Sequence, residues 1–186
     1  MRTLPDYLQN RLELVFIGIN PGTYSAQTGH YYATPRNRFW HAFNGAKLLG
    51  EGVVVGPSDD SRMNDMGIGF TDIVKRSTNN AASLRTADFR KWIPLLERKL
   101  LKYQPRVICF NGFMALGKYL LYSENSNAKL SLGLQSRKIG LSHIFLVPSS
   151  SPANASYSLG TLIHWYEKLA SFRDQVVRGL GQRLLE

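Results

Sequence analysis

The stretch LVFIGINPGTYSAQTGHYYATPRNRFW, residues 14–40, decides the fold class. Residues 14–19 form a near-continuous apolar run, which is typical of a strand buried on both faces of a parallel sheet. The run stops at Asn20, and Pro21 biases Asn20 towards an extended backbone, so the side chain projects from the strand end at a set angle. The amide of Asn20 is therefore either part of an ordinary turn or a group held in place for binding.

The remaining chain alternates between predicted strands and helices. Extended segments are expected at residues 69–74, 106–110 and 143–147, and helices at 37–47, 86–103, 113–122 and 162–176. Asn37 is a candidate N-cap, Pro94 predicts a kink or a start nearer Trp92, and residues 23–32 and 50–65 are predicted loops. This alternation predicts an α/β fold, a mostly parallel central sheet between two helical layers, in one domain spanning residues 1–186.

The composition excludes several classes of protein. Apolar residues make up 44% of the chain and charged residues 19%, as in ordinary globular proteins. No apolar stretch approaches the length of a membrane span, and the N-terminal segment lacks a signal core, so a cytoplasmic, nucleoid-associated location is expected. The single cysteine, Cys109, predicts a small buried residue, and the four histidines show no ligand spacing, so no metal or other cofactor is expected.

The net charge of +10 and the pI of about 9.9 predict attraction to a polyanion. Nucleic acid is the first candidate and an anionic membrane the second, while a basic surface that serves solubility is the alternative. Arg36 and Arg38 could reach phosphates or be solvated.

Polar residues follow the ends of several predicted strands, where parallel sheets form their sites. Asp72 could accept a proton from water, or could be an N-cap or surface residue. Tyr31 and Tyr32 could stack on a base or cover the edge of the core. The serine-rich run SSSPAN, residues 149–154, offers hydroxyl and N–H groups to phosphate oxygens, or is simply a polar loop.

Four motifs occur in a fixed order: GINPG (18–22) with PRNRFW (35–40), GIGFTDIVKRST (67–78), KYQPRVICFNG (102–112) and VPSSSPA (147–153). With these motifs the sequence resembles the mismatch-specific uracil-DNA glycosylase and thymine-DNA glycosylase family, over roughly residues 14–175. The resemblance implies a uracil-DNA glycosylase-like fold and a monomer that needs no cofactor. It also implies an enzyme that flips a damaged or mispaired pyrimidine out of double-stranded DNA and cleaves its N-glycosidic bond.

The resemblance also implies roles for individual residues. Asn20 would hold the water that attacks the sugar, and Tyr32 would stack on the flipped base. The other implied contacts with the base come from Ile19, Ser25 and Thr78. The implied contacts with the DNA backbone and the gap left by the flipped base come from Ser149, Ser150, Ser151, Pro152, Ala153 and Asn154.

A neutral amide suits this chemistry. Cleavage passes through a cationic sugar while an anionic base departs, and N–H donors stabilise that leaving group. Much of the remaining work is to position one water, which Asn20 can do by hydrogen bonding. Flipping costs less for a mispaired base, which favours G·U and G·T mismatches.

Three positions depart from the family pattern. Asp72 stands where the family has asparagine or another non-acidic residue, and we expect it to assist Asn20 by activating the water. Residues 152–154 match the segment that the family inserts into the gap left by the flipped base, but they lack the family's arginine. This absence predicts weaker dependence on the mismatch and some activity on uracil opposite adenine or in single strands. Phe113 stands where the thymine-active branch has a lysine, so one phosphate contact is expected to be lost unless a basic residue elsewhere replaces it.

Three alternatives remain open from the sequence. The chain could be a non-catalytic DNA-damage-binding protein of the same fold, or a glycosylase that accepts a broader set of deaminated bases. It could also be a nucleotide-binding α/β enzyme with GINPG as a phosphate loop, although the motif lacks the Lys-Ser/Thr ending and the glycine spacing of such loops. No lysine in the four motifs is placed to form a Schiff base, so a monofunctional glycosylase without strand incision is expected.

Overall fold

The central sheet has five strands and lies between two layers of helices. In this computed structural model, which describes residues 3–183, the strands are β1 Leu14–Gly18, β2 Ile68–Asp72, β3 Val107–Asn111, β4 Gly133–Ile139 and β5 Ser142–Val147. Their order is β2-β1-β3-β5-β4, and every neighbouring pair is parallel except β4 and β5. The expected three-layer α/β/α fold with a mostly parallel sheet is confirmed.

Helices cover both faces of the sheet because its inner strands are apolar on both sides. Leu14 and Phe16 of β1 belong to one core cluster, and Val15 and Ile17 belong to the other, as the alternation of a strand requires. Among the described residues, the α-helices are α1 Thr23–Thr28, α2 Phe39–Gly45, α3 Thr86–Tyr103, α4 Phe113–Glu124 and α5 Leu159–Arg183. Helices α2 and α5 pack together, as do α3 and α4.

Some predicted boundaries are wrong. The predicted loop 23–32 contains α1, whose six residues are too few to show a helical period. Helix α2 begins at Phe39, so its N-cap is Arg38 and not the predicted Asn37. Asn37 still accepts a hydrogen bond from the Phe39 N–H, at 3.0 Å from its Oδ1. Helix α3 runs through Pro94, and the predicted loop 50–65 overlaps a 3₁₀ helix, Pro57–Met66.

Strand β4 was not predicted from the sequence. In its sequence, GLQSRKI, only the two end residues are buried, and the residues between them, mostly polar, are exposed or partly exposed because the strand lies at the edge of the sheet. A short segment with so few apolar residues gives almost no periodic signal.

Two further observations concern residues 3–183 only. No helix in this range combines the length and the apolar character that crossing a bilayer demands. Nor do three His, Cys, Asp or Glu side chains of the range gather as a metal site would require.

Cys109 is fully buried in β3, and burial raises the pKa of its thiol well above the usual value.

Candidate active site

Strands β1 and β2 end side by side, and this brings two distant polar residues to one edge of the sheet. Gly18 of β1 is in register with Asp72 of β2. The pairing continues beyond the strands, where the Thr78 N–H donates to the Pro21 carbonyl at 3.1 Å. Asn20 and Asp72 therefore lie at the same edge of the sheet, at the carboxyl ends of parallel strands, where sites of such folds form.

A cavity of about 200 Å³ opens at this edge. It is smaller than the pockets that hold drug-sized ligands, so its size fits a single base or a similarly small group. Ala153 and Asn154 do not line it, whereas the other predicted site residues do, namely Ile19, Asn20, Ser25, Tyr32, Asp72, Thr78, Ser149, Ser150, Ser151 and Pro152. No lysine, arginine or histidine is among the described residues that line the cavity.

The amide of Asn20 is oriented by its nitrogen. Nδ2 donates to the Thr78 hydroxyl at 2.8 Å and to the Arg76 carbonyl at 2.9 Å, and it lies 3.2 Å from the Pro21 carbonyl. These contacts use the donor end of the amide, so the group that remains to act on a ligand is the acceptor, Oδ1. An acceptor held in this way can orient a water molecule.

The carboxyl group of Asp72 lies in an apolar setting. The residue is only 4% exposed, and Oδ2 has no hydrogen-bond partner in the structure. Burial raises its pKa from the usual 3.8 to about 7, an effect that nearby Lys75 opposes and Asp6 reinforces. A carboxylate with a pKa near 7 can accept a proton at neutral pH far better than an ordinary aspartate.

Close approach of Asp72 depends on Gly18. A Cβ at Gly18 would lie 2.5 Å from Asp72 Oδ1 and 3.4 Å from the Tyr32 hydroxyl. Any larger residue would displace the carboxyl group, so glycine is needed here for space rather than for backbone freedom.

A cluster of charged side chains centred on Asp6 lies near Asp72 and influences its pKa. Asp6 accepts hydrogen bonds from the Thr71 hydroxyl and Lys75, both at 2.7 Å, and from Lys99 at 2.5 Å. Burial alone would raise the pKa of Asp6, but the two ammonium groups and the hydroxyl together lower it. The N-terminal segment therefore supplies a charge to the environment of Asp72 from 66 residues away along the chain.

Tyr32 forms part of the cavity wall. Its ring stacks on Phe39 with centroids 3.9 Å apart and planes 7° from parallel. Its backbone has φ of 55°, a left-handed conformation that is unusual for a bulky residue and that occurs preferentially at functional sites. Phe39 thus backs the ring against the core; stacking of Tyr32 on a base stays a prediction.

Ser25 and Thr78, the two other polar residues predicted to contact the base, also form hydrogen bonds within the protein. The Ser25 hydroxyl accepts the Ala33 N–H at 3.1 Å, which holds the segment after α1 in place. The Thr78 hydroxyl accepts from Asn20 and donates to the Asn80 carbonyl at 3.0 Å, so it positions the catalytic candidate. Contact of Ile19, Ser25 and Thr78 with a base stays a prediction.

Ser150 holds the serine-rich loop to the end of β3. Ser150 is 0% exposed, and its side chain accepts from Asn111 Nδ2 at 2.9 Å while its N–H donates to Asn111 Oδ1 at 3.1 Å. Its hydroxyl therefore anchors the loop to the end of β3, and contact of Ser149, Ser150 and Ser151 with DNA stays a prediction. Ser149 and Ser151 are partly exposed, and Pro152 and Ala153 are exposed at the turn of the loop.

Arg38 organises the same loop from the opposite side. The sequence left it as a phosphate contact or a solvated residue, but its guanidinium donates to the backbone carbonyls of Ser151, Asn154 and Tyr157. The backbone N–H of Arg38 also donates to the Ser150 carbonyl at 3.1 Å. The planar group with several donors suits such a set of carbonyls, which a lysine could not match.

The sequence analysis missed Asn111 and the positioning role of Arg38. Asn111 ends β3 at the same edge of the sheet at which Asn20 follows β1, so the rule applied to Asn20 would also have found it. Nothing in the local sequence of Arg38 indicated its three carbonyl partners, because they lie 113 to 119 residues away.

Comparisons with known proteins agree with this geometry. A model of the uracil DNA glycosylase superfamily matches residues 5–180. A G/U mismatch-specific uracil DNA glycosylase of Schizosaccharomyces pombe is 30% identical over 165 residues, which are 85% of this chain and 50% of that protein. The chain thus spans about half the length of this curated relative.

A structural comparison supports the fold. A Methanosarcina acetivorans protein solved by solution NMR, and provisionally named a uracil DNA glycosylase, superimposes with a TM-score of 0.60. The two share 21% sequence identity, over 94% of this chain and 97% of that one. At this identity the likeness concerns the fold alone.

Proposed function

Because the chain belongs to the uracil DNA glycosylase superfamily, we propose that it hydrolyses the N-glycosidic bond of uracil in double-stranded DNA and prefers uracil opposite guanine. The product is an abasic site, and the enzyme is a monofunctional monomer that needs no cofactor. Excision of thymine from G·T mismatches and of other deaminated bases belongs to the same proposal as a secondary activity. The preference for guanine follows from the lower cost of flipping a mispaired base.

One observation carries the proposal: Asn20 and Asp72 lie at one small cavity with complementary properties. The donor end of the Asn20 amide is tied to Arg76 and Thr78, which supports water binding at Oδ1. Asp72 is buried with a pKa of about 7, which supports proton acceptance at neutral pH. A cavity that only bound damaged DNA would not need a buried carboxyl group whose pKa is raised to about 7.

The reaction can be assigned to these groups step by step. The C1′–N1 bond breaks with its electron pair going to N1, and uracil leaves as an anion that is later protonated by solvent. A water held by Asn20 Oδ1 attacks C1′, and its proton passes to the Asp72 carboxylate. Backbone N–H groups at the cavity wall would stabilise the oxygens of the departing base.

The exposed turn at Pro152 and Ala153 bears on selectivity for the opposite base. Neither residue carries a hydrogen-bonding side chain, so neither can read the edge of a guanine through its side chain. We therefore propose that discrimination between G·U and A·U comes mainly from the cost of flipping, and that uracil in single strands is also cleaved.

The test is a panel of substrates and variants. Single-turnover release of uracil from G·U, A·U and single-stranded oligonucleotides, and of thymine from G·T, is measured for the wild type, Asn20→Ala and Asp72→Asn. We expect Asn20→Ala to abolish release and Asp72→Asn to slow it by roughly 100-fold, the lower range for loss of a general base.

Matched controls separate chemistry from folding. Asn10→Ala and Asp65→Asn make the same chemical changes at exposed positions outside the cavity, and both should keep wild-type rates. Release of no base by the wild type from any substrate would favour the non-catalytic DNA-damage-binding alternative. Unchanged uracil release by Asp72→Asn would refute the proposed role of the carboxylate.

A further inference from the structure

A second depression of about 230 Å³ lies beside the candidate active site, between the 3₁₀ turn Ala81–Ser83 and helices α3 and α4. Ala81 lines both this groove and the active-site cavity, so the two lie side by side. The residues that give the groove its chemistry are Leu84, Phe89, Met114, Lys118 and Tyr122. We call it the flanking groove.

The flanking groove has an aromatic floor and an exposed apolar edge. Phe89 and Tyr122 stack with centroids 5.4 Å apart and planes 15° from parallel. Met114 is 51% exposed, and the neighbouring Phe113 is 38% exposed at the start of α4. Exposed apolar side chains that gather beside a binding cavity commonly mark a contact surface, and a thioether packs well on flat rings.

Lys118 adds one positive charge to this apolar surface. It lies four residues after Met114, and therefore on the same face of α4. Its ammonium group lies 5.4 Å from the centre of the Phe89 ring and makes no ion pair with a described residue. An apolar surface with one available cation matches the two parts of a nucleotide, a base and a phosphate.

The position of α4 connects the flanking groove to the serine-rich loop. Gly112, the residue before α4, packs so closely that a Cβ there would lie 2.9 Å from the Ser149 Cβ. The start of α4 therefore lies against the serine-rich loop, and the flanking groove lies along the same helix. A path across α4 is thus one route for a strand whose flipped nucleotide enters the cavity beside Ser149.

We propose that the flanking groove binds the nucleotide next to the flipped one in the same DNA strand. Met114 packs against its base, and Lys118 contacts its phosphate. This inference rests on the proposed function, which supplies the bound strand, and it adds a subsite that grips the strand independently of the base being excised.

The test combines a protein change with removal of the flanking base. Binding is measured by fluorescence anisotropy in the Asn20→Ala background, so the uracil-containing duplex stays intact and no catalysis is needed. Three duplexes are compared: one complete, one with a tetrahydrofuran abasic residue on the 5′ side of deoxyuridine, and one with it on the 3′ side.

Met114→Ala should weaken binding of the complete duplex about 5-fold, the low end for loss of contact with one base. On one of the two abasic duplexes the variant should bind no more weakly than its Met114 parent, because the contact is already absent. An equal loss on all three duplexes, or no loss on any, would overturn the proposal.

Two controls complete the experiment. Leu141→Ala removes an apolar side chain that is 77% exposed and does not line either cavity, and it should leave all three affinities unchanged. Lys118→Gln should weaken all three duplexes equally, because the phosphate remains when the base is removed. If the wild type released no uracil, the proposed function would fail, yet the binding comparison would still decide whether the groove holds a nucleotide.

Discussion

At the scale of the single residue, Asn20 and Asp72 divide two properties that one side chain cannot combine. The amide of Asn20 has a fixed orientation but negligible basicity. The carboxyl group of Asp72 can accept a proton, but burial disfavours its charged form. Lys75 favours the charged form and Asp6 opposes it, so the ion cluster behind the site tunes the proton affinity of Asp72.

The raised pKa of Asp72 also predicts how stability depends on pH. Because the pKa is 3.8 in the unfolded chain and about 7 in the folded one, the stability present below pH 4 is lost as the pH rises through 7. A difference of that size corresponds to roughly 4 kcal/mol at full ionisation. Asp72→Asn removes the titration, so its thermal midpoint should match the wild type near pH 4 and exceed it above pH 7.

Thermal unfolding from pH 4 to 8.5 checks this expectation, with Asp65→Asn as the exposed control. If the difference between Asp72→Asn and the wild type grows with pH as expected, Asp72 costs stability and serves activity, since the same variant is expected to be slow in uracil release. A difference that does not grow with pH would show that the pKa of Asp72 is not raised in the folded protein.

At the scale of the element, the loop from Ser149 to Tyr157 is held by two anchors. Asn111 binds both the side chain and the N–H of Ser150 from the end of β3. Arg38 gathers the carbonyls of Ser151, Asn154 and Tyr157. These contacts pre-organise a loop that otherwise has little regular structure, so its exposed turn is presented in one conformation.

Replacing Arg38 should therefore act through the loop. Arg38→Lys keeps the charge but loses the planar donor set, so partly buried carbonyls lose partners, each at a cost of about 1 kcal/mol. We expect a higher KM for uracil-containing DNA with a much smaller change in kcat. Faster amide hydrogen exchange at residues 149–157 should accompany it.

Arg62→Lys is the control, because the Arg62 side chain is 73% exposed and is not part of the loop. Equal effects of Arg38→Lys on kcat and KM would argue that Arg38 acts on the reaction itself. Unchanged kinetics and exchange would mean that Asn111 alone suffices to hold the loop.

At the scale of the whole molecule, the net charge of +10 predicts binding to DNA that weakens steeply with salt. Arg36 is exposed beside Asn37, which lines the active-site cavity, and it makes no ion pair with a described residue. Arg178 is exposed on α5, near residues of the amino-terminal side of the sheet. The two arginines therefore differ in position and not in charge.

If DNA lies across the cavity, Arg36→Ala should reduce the slope of log Kd against log[salt] by about one contact, and Arg178→Ala should leave it unchanged. The measurement is binding of an undamaged duplex between roughly 50 and 200 mM salt, the range in which counterion release dominates. Equal slopes for the two variants would show that the basic surface acts as a whole rather than at the proposed face.

Local sequence patterns determined much of this architecture. The apolar run before Asn20, the alternation of strands with helices and the polar residues after strand ends predicted the sheet and the edge at which its site lies. These signals succeed because a strand buried on both faces must be apolar throughout, whatever packs against it. They failed at α1, whose six residues are too few to show a helical period. They also failed at β4, which lies at the exposed edge of the sheet and lacks a periodic apolar pattern.

The tertiary structure alone decided how the site residues act. Asn20 is oriented by Thr78, 58 residues away, and Arg38 faces inward to carbonyls more than 110 residues away, although its sequence context allowed a solvated arginine. The proton affinity of Asp72 depends on burial against Gly18 and on charges from the N-terminus and from Lys75. Local pattern predicts which residues reach the edge of the sheet, but hydrogen-bond partners and desolvation arise from long-range packing, which a linear sequence does not display.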